Sequence, residues 1–321
     1  MRTLSPLKRT ILLGAAFLLA GCVTTGRESL QRFAFQTDGL GTRIGLVVWA
    51  KDQARADKAW AGMRERVALL EDVFSDWKTD SEAQRLTATA GTDTWVPVSD
   101  DLWAVLQASH QLNAQSEGAF DVTVGPVVRL WRMARFRKER PDDTRLKTAL
   151  DQTGMAAIEM DARKQRIKLV RPGMRLDFGA IAKGYIADQC RVRLAAMGHT
   201  RVLIDLGGDL VAGDGPADRE SGWKVGVTPA NRSQEMTPVF LTNRAIATSG
   251  KSIRFVEIDG TRYSHIVDPR TGEALTHAWQ VTVLAPTGML ADGWASACSV
   301  LGPEKSRQLT QDLDGIEVIF R

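Results

Sequence analysis

The chain has 321 residues, of which 44% are hydrophobic and 25% are charged, which is ordinary for a globular protein with a full core. The formal net charge is +4, and no basic tract with interleaved aromatic residues is present, which argues against nucleic-acid binding. No internal repeat or low-complexity linker divides the chain, so we predict one folded domain.

The first 21 residues are predicted to form an export signal. Three basic residues precede an apolar run at residues 11–20, which is too short to span a bilayer comfortably. The tetrad LAGC at residues 19–22 is similar to the bacterial lipobox, in which the cysteine is lipidated and becomes the first residue; an uncleaved anchor is the alternative. Removal of the three basic residues lowers the net charge from +4 to +1, so the basic pI says little about partners.

We expect the mature protein to be a soluble domain held at a membrane by a lipid on Cys22. Residues 22–36 are predicted to be a polar tether, and residues 37–321 to be the folded domain. The expected location is the periplasmic or extracytoplasmic face of a bacterial membrane, with the inner membrane preferred to the outer one.

The first part of the predicted domain consists mainly of helices. Alternating apolar residues predict a strand within residues 39–49, and apolar residues spaced three and four apart predict a helix over residues 51–76. Ser81 and Ser99 are typical N-caps of two further helices, the second of which stops near Gly118.

The central part is predicted to alternate between loops, strands and one long helix. The charged residues 132–143 are predicted to form a surface loop, and residues 155–159 and 166–170 a hairpin. A strand is predicted to end at residues 176–178, before a helix over residues 180–197. The remainder is predicted to contain strands at 202–206, 223–227, 239–241, 245–248, 254–258, 281–284 and 316–320, and helices at 291–301 and 303–313.

Residues 176–188, LDFGAIAKGYIAD, place an acid, a glycine turn and a lysine at the start of a predicted helix. Free backbone N–H groups and the helix dipole at such a turn suit a phosphate, and Lys183 could add a point charge. Asp177 could bind a hydroxyl, a ring N–H or a metal. The segment is neither a Walker loop nor the dinucleotide fingerprint, and its residues alone favour a phosphate site and a structural helix start equally.

Other polar residues are candidates for chemistry. Asp292 and Ser296 stand four residues apart on one face of a predicted helix, which suits a hard cation such as Mg²⁺. An Asp that merely favours the helix dipole is the alternative. His265 lies in a turn-rich loop, where a structural and a catalytic role are both open. Asp121, taken alone, is typical of a local cap or turn residue.

The two cysteines outside the predicted lipobox are Cys190 and Cys298, each among small or apolar residues. An exported protein could pair them, and two separate buried thiols are equally consistent with the sequence. The cysteines show no metal-ligand spacing.

Taken together, these motifs resemble the FAD:protein FMN transferases, the ApbE family. The matching segments follow the family's order over nearly the whole mature chain. They are GAFDVTVGPVVRLW (118–131), LDFGAIAKGYIAD (176–188), DLGGDLVAGDG (205–215), AIATSG (245–250), SHIVDPRTG (264–272) and ADGWASA (291–297), with weaker matches at GLGTRI (39–44) and FSDWKTDSE (74–82).

The resemblance implies a single compact α+β domain, ApbE-like (T-fold-like), with mixed sheets and packed helices and without Rossmann order. It implies Mg²⁺-dependent transfer of the FMN half of FAD, the substrate, to a Thr or Ser hydroxyl of a partner protein, with release of AMP. The implied partners are acceptor flavoprotein subunits of membrane redox complexes and related exported flavoproteins.

The resemblance also assigns site residues. The implied flavin-binding residues are Leu40, Trp77, Ala119, Phe120, Asp121, Asp177, Lys183 and Ile266. The implied metal ligands are the Ala180 carbonyl, Asp292 and Ser296, with Ser296 in place of the usual Thr. Lys183 would add positive charge beside the metal, and the general base is either His265 or an acid of the site.

The chain departs from the family pattern at three places. Leu40 stands where a Met is common, and Trp77 where a Tyr often stacks on the flavin ring. Lys251 and Ser252 stand where Asp and Tyr are often found, which affects the local shape of the site and the choice of partner.

Two other functions remain open at this point. An FAD pyrophosphatase would use the same site with water in place of the acceptor hydroxyl. A lipid-anchored protein that binds FAD without catalysis would have no need of the metal pair Asp292 and Ser296.

Overall fold

The computed structural model describes residues 29–227, 237–250, 255–277 and 279–321. The helices are α1 (Gln53–Phe74), α2 (Glu82–Thr87), α3 (Asp100–Gln115), α4 (Gly125–Arg137), α5 (Asp143–Asp151), α6 (Ala182–Ala196) and α7 (Gly288–Thr310), with a 3₁₀ turn at Met155–Ala157. The strands are β1 (Gln31–Gly39), β2 (Thr42–Ala50), β3 (Val96–Pro97), β4 (Ile158–Asp161), β5 (Arg166–Leu169), β6 (Val202–Leu206), β7 (Asp209–Ala212), β8 (Trp223–Val227), β9 (Thr237–Leu241), β10 (Ala245–Gly250), β11 (Phe255–Ile258), β12 (Thr261–Ser264), β13 (Gln280–Ala285) and β14 (Glu317–Phe320).

A seven-stranded sheet with the order β1-β2-β6-β7-β10-β13-β14 forms the centre of the domain. Smaller sheets are β3-β5-β4, β11-β12 and β8-β9. The α+β expectation is confirmed, and the strand order is not a Rossmann pattern. In the described residues, every pairing between named strands is antiparallel, so the sheets are antiparallel rather than mixed.

The largest core lies between one face of this sheet and helices α1, α6 and α7. Ile44, Leu46 and Val48 alternate along β2 and are buried in that core, as the period of a strand requires. Val47 and Trp49 belong to the opposite face, which the β8–β9 hairpin covers. A third cluster joins α4 and α5 to the β11–β12 hairpin.

Helices α6 and α7 approach closely because each has a glycine where they meet. A Cβ atom on Gly184 would overlap the Gly288 carbonyl, and one on Gly288 would lie 2.6 Å from the Gly184 oxygen. Asp188 of α6 accepts the N–H groups of Gly288 at 2.8 Å and Met289 at 2.9 Å. These bonds cap α7 with a side chain from α6 and hold the two helices together.

The predicted tether at residues 22–36 is wrong in its second half. Strand β1 begins at Gln31 and pairs with β2 along its full length. Phe35 stacks on Trp60 of α1 with 5.6 Å between ring centroids, which explains why the segment is folded. The predicted export signal and Cys22 lie outside the described residues.

The predicted surface loop at residues 132–143 is wrong for residues 132–137, and the observed loop covers residues 138–142. Helix α4 runs to Arg137, and α5 begins at Asp143. Val127, Trp131 and Ala134 are buried at helical spacing in α4, so its charged residues belong to the outer side of a helix rather than to a loop.

The predicted strand ending at residues 176–178 is absent from the described structure. The Asp177 N–H donates to the Val122 carbonyl at 2.8 Å, and an isolated bridge joins Val124 to Arg175. This segment therefore pairs with an irregular loop. The helix that follows begins at Ala182 rather than at residue 180.

The other predicted elements overlap the observed ones, and their bounds differ by a few residues. This comparison leaves out predicted residues that lie outside the described ranges. Cys190 and Cys298 are both buried free thiols, so the alternative of two separate thiols is the correct one. In the described part of the chain, every helix is too short or too polar to cross a membrane.

Candidate active site

A lysine and two aspartates from three different elements meet where α6, α7 and β7 come together. Lys183 Nζ lies 2.5 Å from Asp209 Oδ2, and 3.2 Å and 3.3 Å from the two carboxylate oxygens of Asp292. Asp209 is 8% exposed and Asp292 is 5% exposed. We call these three residues the lysine cluster.

Burial and charge act against each other in the lysine cluster. Burial alone would lower the pKa of Lys183, but the carboxylates of Asp292 and Asp209 outweigh it and raise that pKa. Burial raises the pKa of Asp292, which Lys183 opposes and Asp209 reinforces. The cluster thus sets one ammonium group against two carboxyl groups.

The first turn of α6 contributes a backbone donor to this cluster. Gly184 lies in the first turn of α6, where backbone N–H groups have no partner within the helix, and its N–H donates to Asp292 Oδ2 at 3.1 Å. Ala180 lies two residues before the start of α6. Ser296 follows Asp292 by one turn of α7 and is partly buried.

Asp209 is the cluster member that the sequence interpretation missed. Asp209 is the first residue of β7 and directly follows the two-glycine turn after β6. Its Oδ1 accepts the Thr248 N–H at 3.1 Å. The Thr248 and Thr282 hydroxyls lie 3.0 Å apart. The signal available in the sequence was an acid following a buried strand and a Gly-Gly turn, within the segment DLGGDLVAGDG.

A second group of polar residues surrounds Asp177, and Arg132 holds it together. One guanidinium nitrogen of Arg132 donates a hydrogen bond to Asp177 Oδ2 at 3.0 Å, and the other terminal nitrogen forms an ion pair with Asp76. Its guanidinium carbon lies 5.0 Å from the ring centroid of Trp77, which is 80% exposed. Asp177 Oδ1 accepts the Gly179 N–H at 2.9 Å. We call Asp76, Trp77, Arg132 and Asp177 the arginine cluster.

Asp121 is bonded within its own loop. Its Oδ1 accepts the N–H of Thr123 at 2.7 Å and the Thr123 hydroxyl at 2.6 Å. Burial raises the pKa of Asp121, and the Thr123 bonds oppose that shift. Ala119 and Phe120 are each 3% exposed, and the Phe120 carbonyl already accepts a bond from the Asn113 side chain.

The remaining predicted site residues lie in turns and loops. Leu40 has a φ of 55° in the turn between β1 and β2. His265 is exposed and follows β12. Ile266 is next to it, and its N–H donates to the Ser264 hydroxyl at 3.1 Å. Ile266 also lines a pocket of about 60 Å³ with Phe255 and other residues.

The structure thus brings Lys183 and Asp292 into direct contact and links Asp177 to Trp77 through Arg132. Within the described ranges, no hydrogen bond or ion pair joins Asp121 to either cluster. Nor does this part of the chain contain three or more His, Cys, Asp or Glu side chains grouped so that they could hold a metal ion.

The antiparallel sheet and the helices packed on it define a single-domain α+β protein outside the Rossmann class, and the lysine cluster is a buried polar centre within it. More particularly, the chain belongs to the ApbE family, whose model matches residues 40–320.

Its relatives include proteins named FAD:protein FMN transferase. One from Klebsiella pneumoniae (strain 342) is 32% identical over 95% of this chain and 89% of its own length. Another from Treponema pallidum (strain Nichols) is 33% identical over 92% of this chain and 86% of its own length. The apo crystal structure of Pseudomonas stutzeri flavinyl transferase ApbE has a TM-score of 0.80 and 30% identity over 91% of both chains.

Proposed function

We propose that this protein is an FAD:protein FMN transferase that uses Mg²⁺, modifies a Thr or Ser hydroxyl and releases AMP. The lysine cluster is the single observation that carries this proposal. It places the Lys183 ammonium group between two buried acids. Such a centre suits phosphoryl transfer, in which positioning and charge neutralisation do most of the work.

The residues that would hold Mg²⁺ are Asp292, Ser296 and the Ala180 carbonyl. Mg²⁺ commonly takes one or two carboxylates and completes its shell with substrate phosphates and water, so a site with few acids fits it. The buried Asp292 carboxyl group, which contacts Lys183 and accepts the Gly184 N–H, supports the same assignment. When bound, Mg²⁺ would neutralise charge on the FAD phosphates and on the departing AMP.

Lys183 contributes charge rather than a base. Because the two acids raise its pKa, it stays protonated at neutral pH and cannot accept the proton of the acceptor hydroxyl. Asp209 fixes the direction of the ammonium group through the bond of 2.5 Å. Lys183 therefore binds phosphate oxygens as a fixed cation.

The transfer step forms a bond between the acceptor oxygen and the phosphorus of the FMN half, and breaks the bond from that phosphorus to the AMP oxygen. The hydroxyl proton passes to a base. His265 and an acid of the site are the two candidates. His265 is exposed, which allows a protein acceptor to reach it.

The flavin would lie against the residues that the family resemblance assigns. They are Leu40, Trp77, Ala119, Phe120, Asp121, Asp177, Lys183 and Ile266. The exposed indole of Trp77 offers a stacking surface, and the Asp177 carboxylate offers an acceptor for a ring N–H. Since Ala119 and Phe120 have buried side chains, we assign them to the shape of the loop that carries Asp121.

The test of the metal assignment is Asp292→Ala, measured as FMN transfer to an acceptor peptide in Mg²⁺ and as Mg²⁺ binding by calorimetry. We expect both to be lost. The matched control is Asp312→Ala, an exposed acid just beyond α7, which should behave as wild type. Full transfer by Asp292→Ala would refute the assignment.

Incubation with FAD and Mg²⁺ alone separates transfer from hydrolysis. A transferase should release FMN and AMP slowly without an acceptor and rapidly consume FAD with one. Rapid release of free FMN without an acceptor would favour an FAD pyrophosphatase. Tight FAD binding with no turnover under either condition would favour a flavin carrier.

We further propose that Cys22 carries a lipid that holds the protein on the extracytoplasmic face of a bacterial membrane, the inner membrane in preference to the outer one. Acceptor subunits of membrane redox complexes would be its partners there. The lipobox match supports this proposal. Fractionation of cells that express the wild type or Cys22→Ser tests it, and the variant should leave the membrane fraction.

A further inference from the structure

Arg132 occupies a position that neither the sequence interpretation nor the proposed chemistry uses. It comes from α4, and its guanidinium joins Asp76, at the end of α1, to Asp177, at the segment before α6. The side chains of Asp76 and Asp177 are 18% and 12% exposed, so these two acids are largely shielded from water, whereas the side chain of Arg132 is 33% exposed. An arginine fork can hold two carboxylates at once, whereas a lysine ammonium acts as a point charge.

The same guanidinium also lies against the ring of Trp77. Its central carbon lies 5.0 Å from the ring centroid, within the range of a cation–π contact. Because Trp77 is 80% exposed, much of the indole remains open to a ligand. Arg132 therefore restricts the orientation of the indole while it leaves a surface on which a flat ring can stack.

The Asp177 carboxylate keeps acceptor capacity in this arrangement. Its two oxygens accept the Gly179 N–H at 2.9 Å and an Arg132 nitrogen at 3.0 Å. An ionised carboxylate has about four lone-pair sites, so further bonds can form. A ring N–H of a ligand stacked on Trp77 is a suitable donor.

We propose that Arg132 is a flavin-positioning residue, which fixes the Asp177 carboxylate and the Trp77 indole relative to each other so that one isoalloxazine ring can bind both. The inference rests on the proposed function, because it takes the flavin to lie at Trp77 and Asp177. The inference adds Arg132 as a residue that acts through Trp77 and Asp177. It also explains why α4, which carries Arg132, contacts the site.

The charges around Asp177 make this role measurable. Burial raises the pKa of Asp177, Arg132 is the strongest opposing influence, and Asp76 adds to the rise. The Gly179 N–H and Arg175 also favour the ionised form. Without Arg132, the two neighbouring acids would repel each other, and Asp177 would take up a proton at a higher pH. A protonated Asp177 has less capacity to accept a ring N–H.

The test measures FAD affinity by flavin fluorescence in the full chain, for wild type, Arg132→Gln and Arg132→Lys, from about pH 8 to about pH 6. We expect Arg132→Gln to raise the Kd about ten-fold near pH 8, and further as the pH falls, while wild type stays nearly constant. Arg132→Lys should recover the pH behaviour but only part of the affinity. The matched control is Arg137→Gln, an exposed arginine in the last turn of the same helix, which should bind FAD as wild type does.

If Arg132→Gln binds FAD with wild-type affinity and a flat pH profile, this inference is overturned and the proposed function is not affected. An equal loss of affinity in the Gln and Lys variants, without pH dependence and with a matching fall in Tm, would show a merely structural role and overturn it too. Wild-type protein that binds no FAD would overturn the proposed function and, with it, this inference.

Discussion

The contact between Gly184 and Gly288 should be the most sensitive point of the scaffold. In Gly184→Ala, the new methyl group would overlap the backbone carbonyl of Gly288, which cannot move aside as a flexible side chain could. Helices α6 and α7 must then separate. The bond of 3.1 Å from the Gly184 N–H to Asp292 and the contacts between Lys183 and Asp292 would lengthen.

The cost can be worked from two contributions. Overpacking a tight core costs about 1–3 kcal/mol. A weakened hydrogen bond to a buried carboxylate adds about 1.5–3 kcal/mol. We therefore expect the free energy of unfolding to fall by about 2.5–6 kcal/mol, which for a domain of this size lowers Tm by roughly 5–24 °C. FMN transfer should be lost even at temperatures where the variant is folded, because the lysine cluster is displaced.

The assay is thermal unfolding by circular dichroism together with FMN transfer at a temperature well below both transitions. The matched control is Gly45→Ala in β2, where the nearest backbone atom would lie 3.4 Å from the added Cβ atom. A Gly184→Ala protein with the Tm and transfer rate of wild type would refute the packing argument.

Three other predictions concern single side chains. Burial raises the pKa of Asp188 to about 6, above its unfolded value, so the folded chain holds the extra proton and stability should fall as the pH rises from about 4 to about 6. Asp188→Asn should lack this component of about 3 kcal/mol in denaturant titrations, and identical pH profiles would contradict it. Trp77→Ala should raise the Kd for FAD about ten-fold without changing Tm, because the indole is 80% exposed, and an unchanged Kd would place the ring elsewhere. Asp209→Asn should lower the transfer rate about ten-fold by releasing Lys183 from its bond of 2.5 Å, which steady-state kinetics would detect; a wild-type rate would remove Asp209 from the site.

Local patterns predicted the elements whose signals are local. Ser81 and Ser99 do cap helices, and the apolar spacing in α1 and the alternation in β2 correspond to observed burial. The charges from Arg132 onward are typical of a surface loop, whereas the spacing of the buried residues Trp131 and Ala134 indicates the helix that is observed.

The site was only partly predictable because its contacts span long stretches of chain. Lys183 and Asp292 were both named as candidates, although they are 109 residues apart. Asp209 and Arg132 were missed, since nothing in their local sequence shows that one meets Lys183 and the other Asp177. Those contacts arise from the order of strands in the sheet and from the packing of α4. The periodicity of a single sequence predicts neither of these.

The mass of an acceptor peptide that carries a single Thr or Ser, measured after incubation with this protein, FAD and Mg²⁺, tests the central claim most directly. The proposed transfer predicts a gain equal to FMN less one water on that hydroxyl, with AMP released in equal amount. An unmodified peptide beside accumulating free FMN and AMP would contradict it.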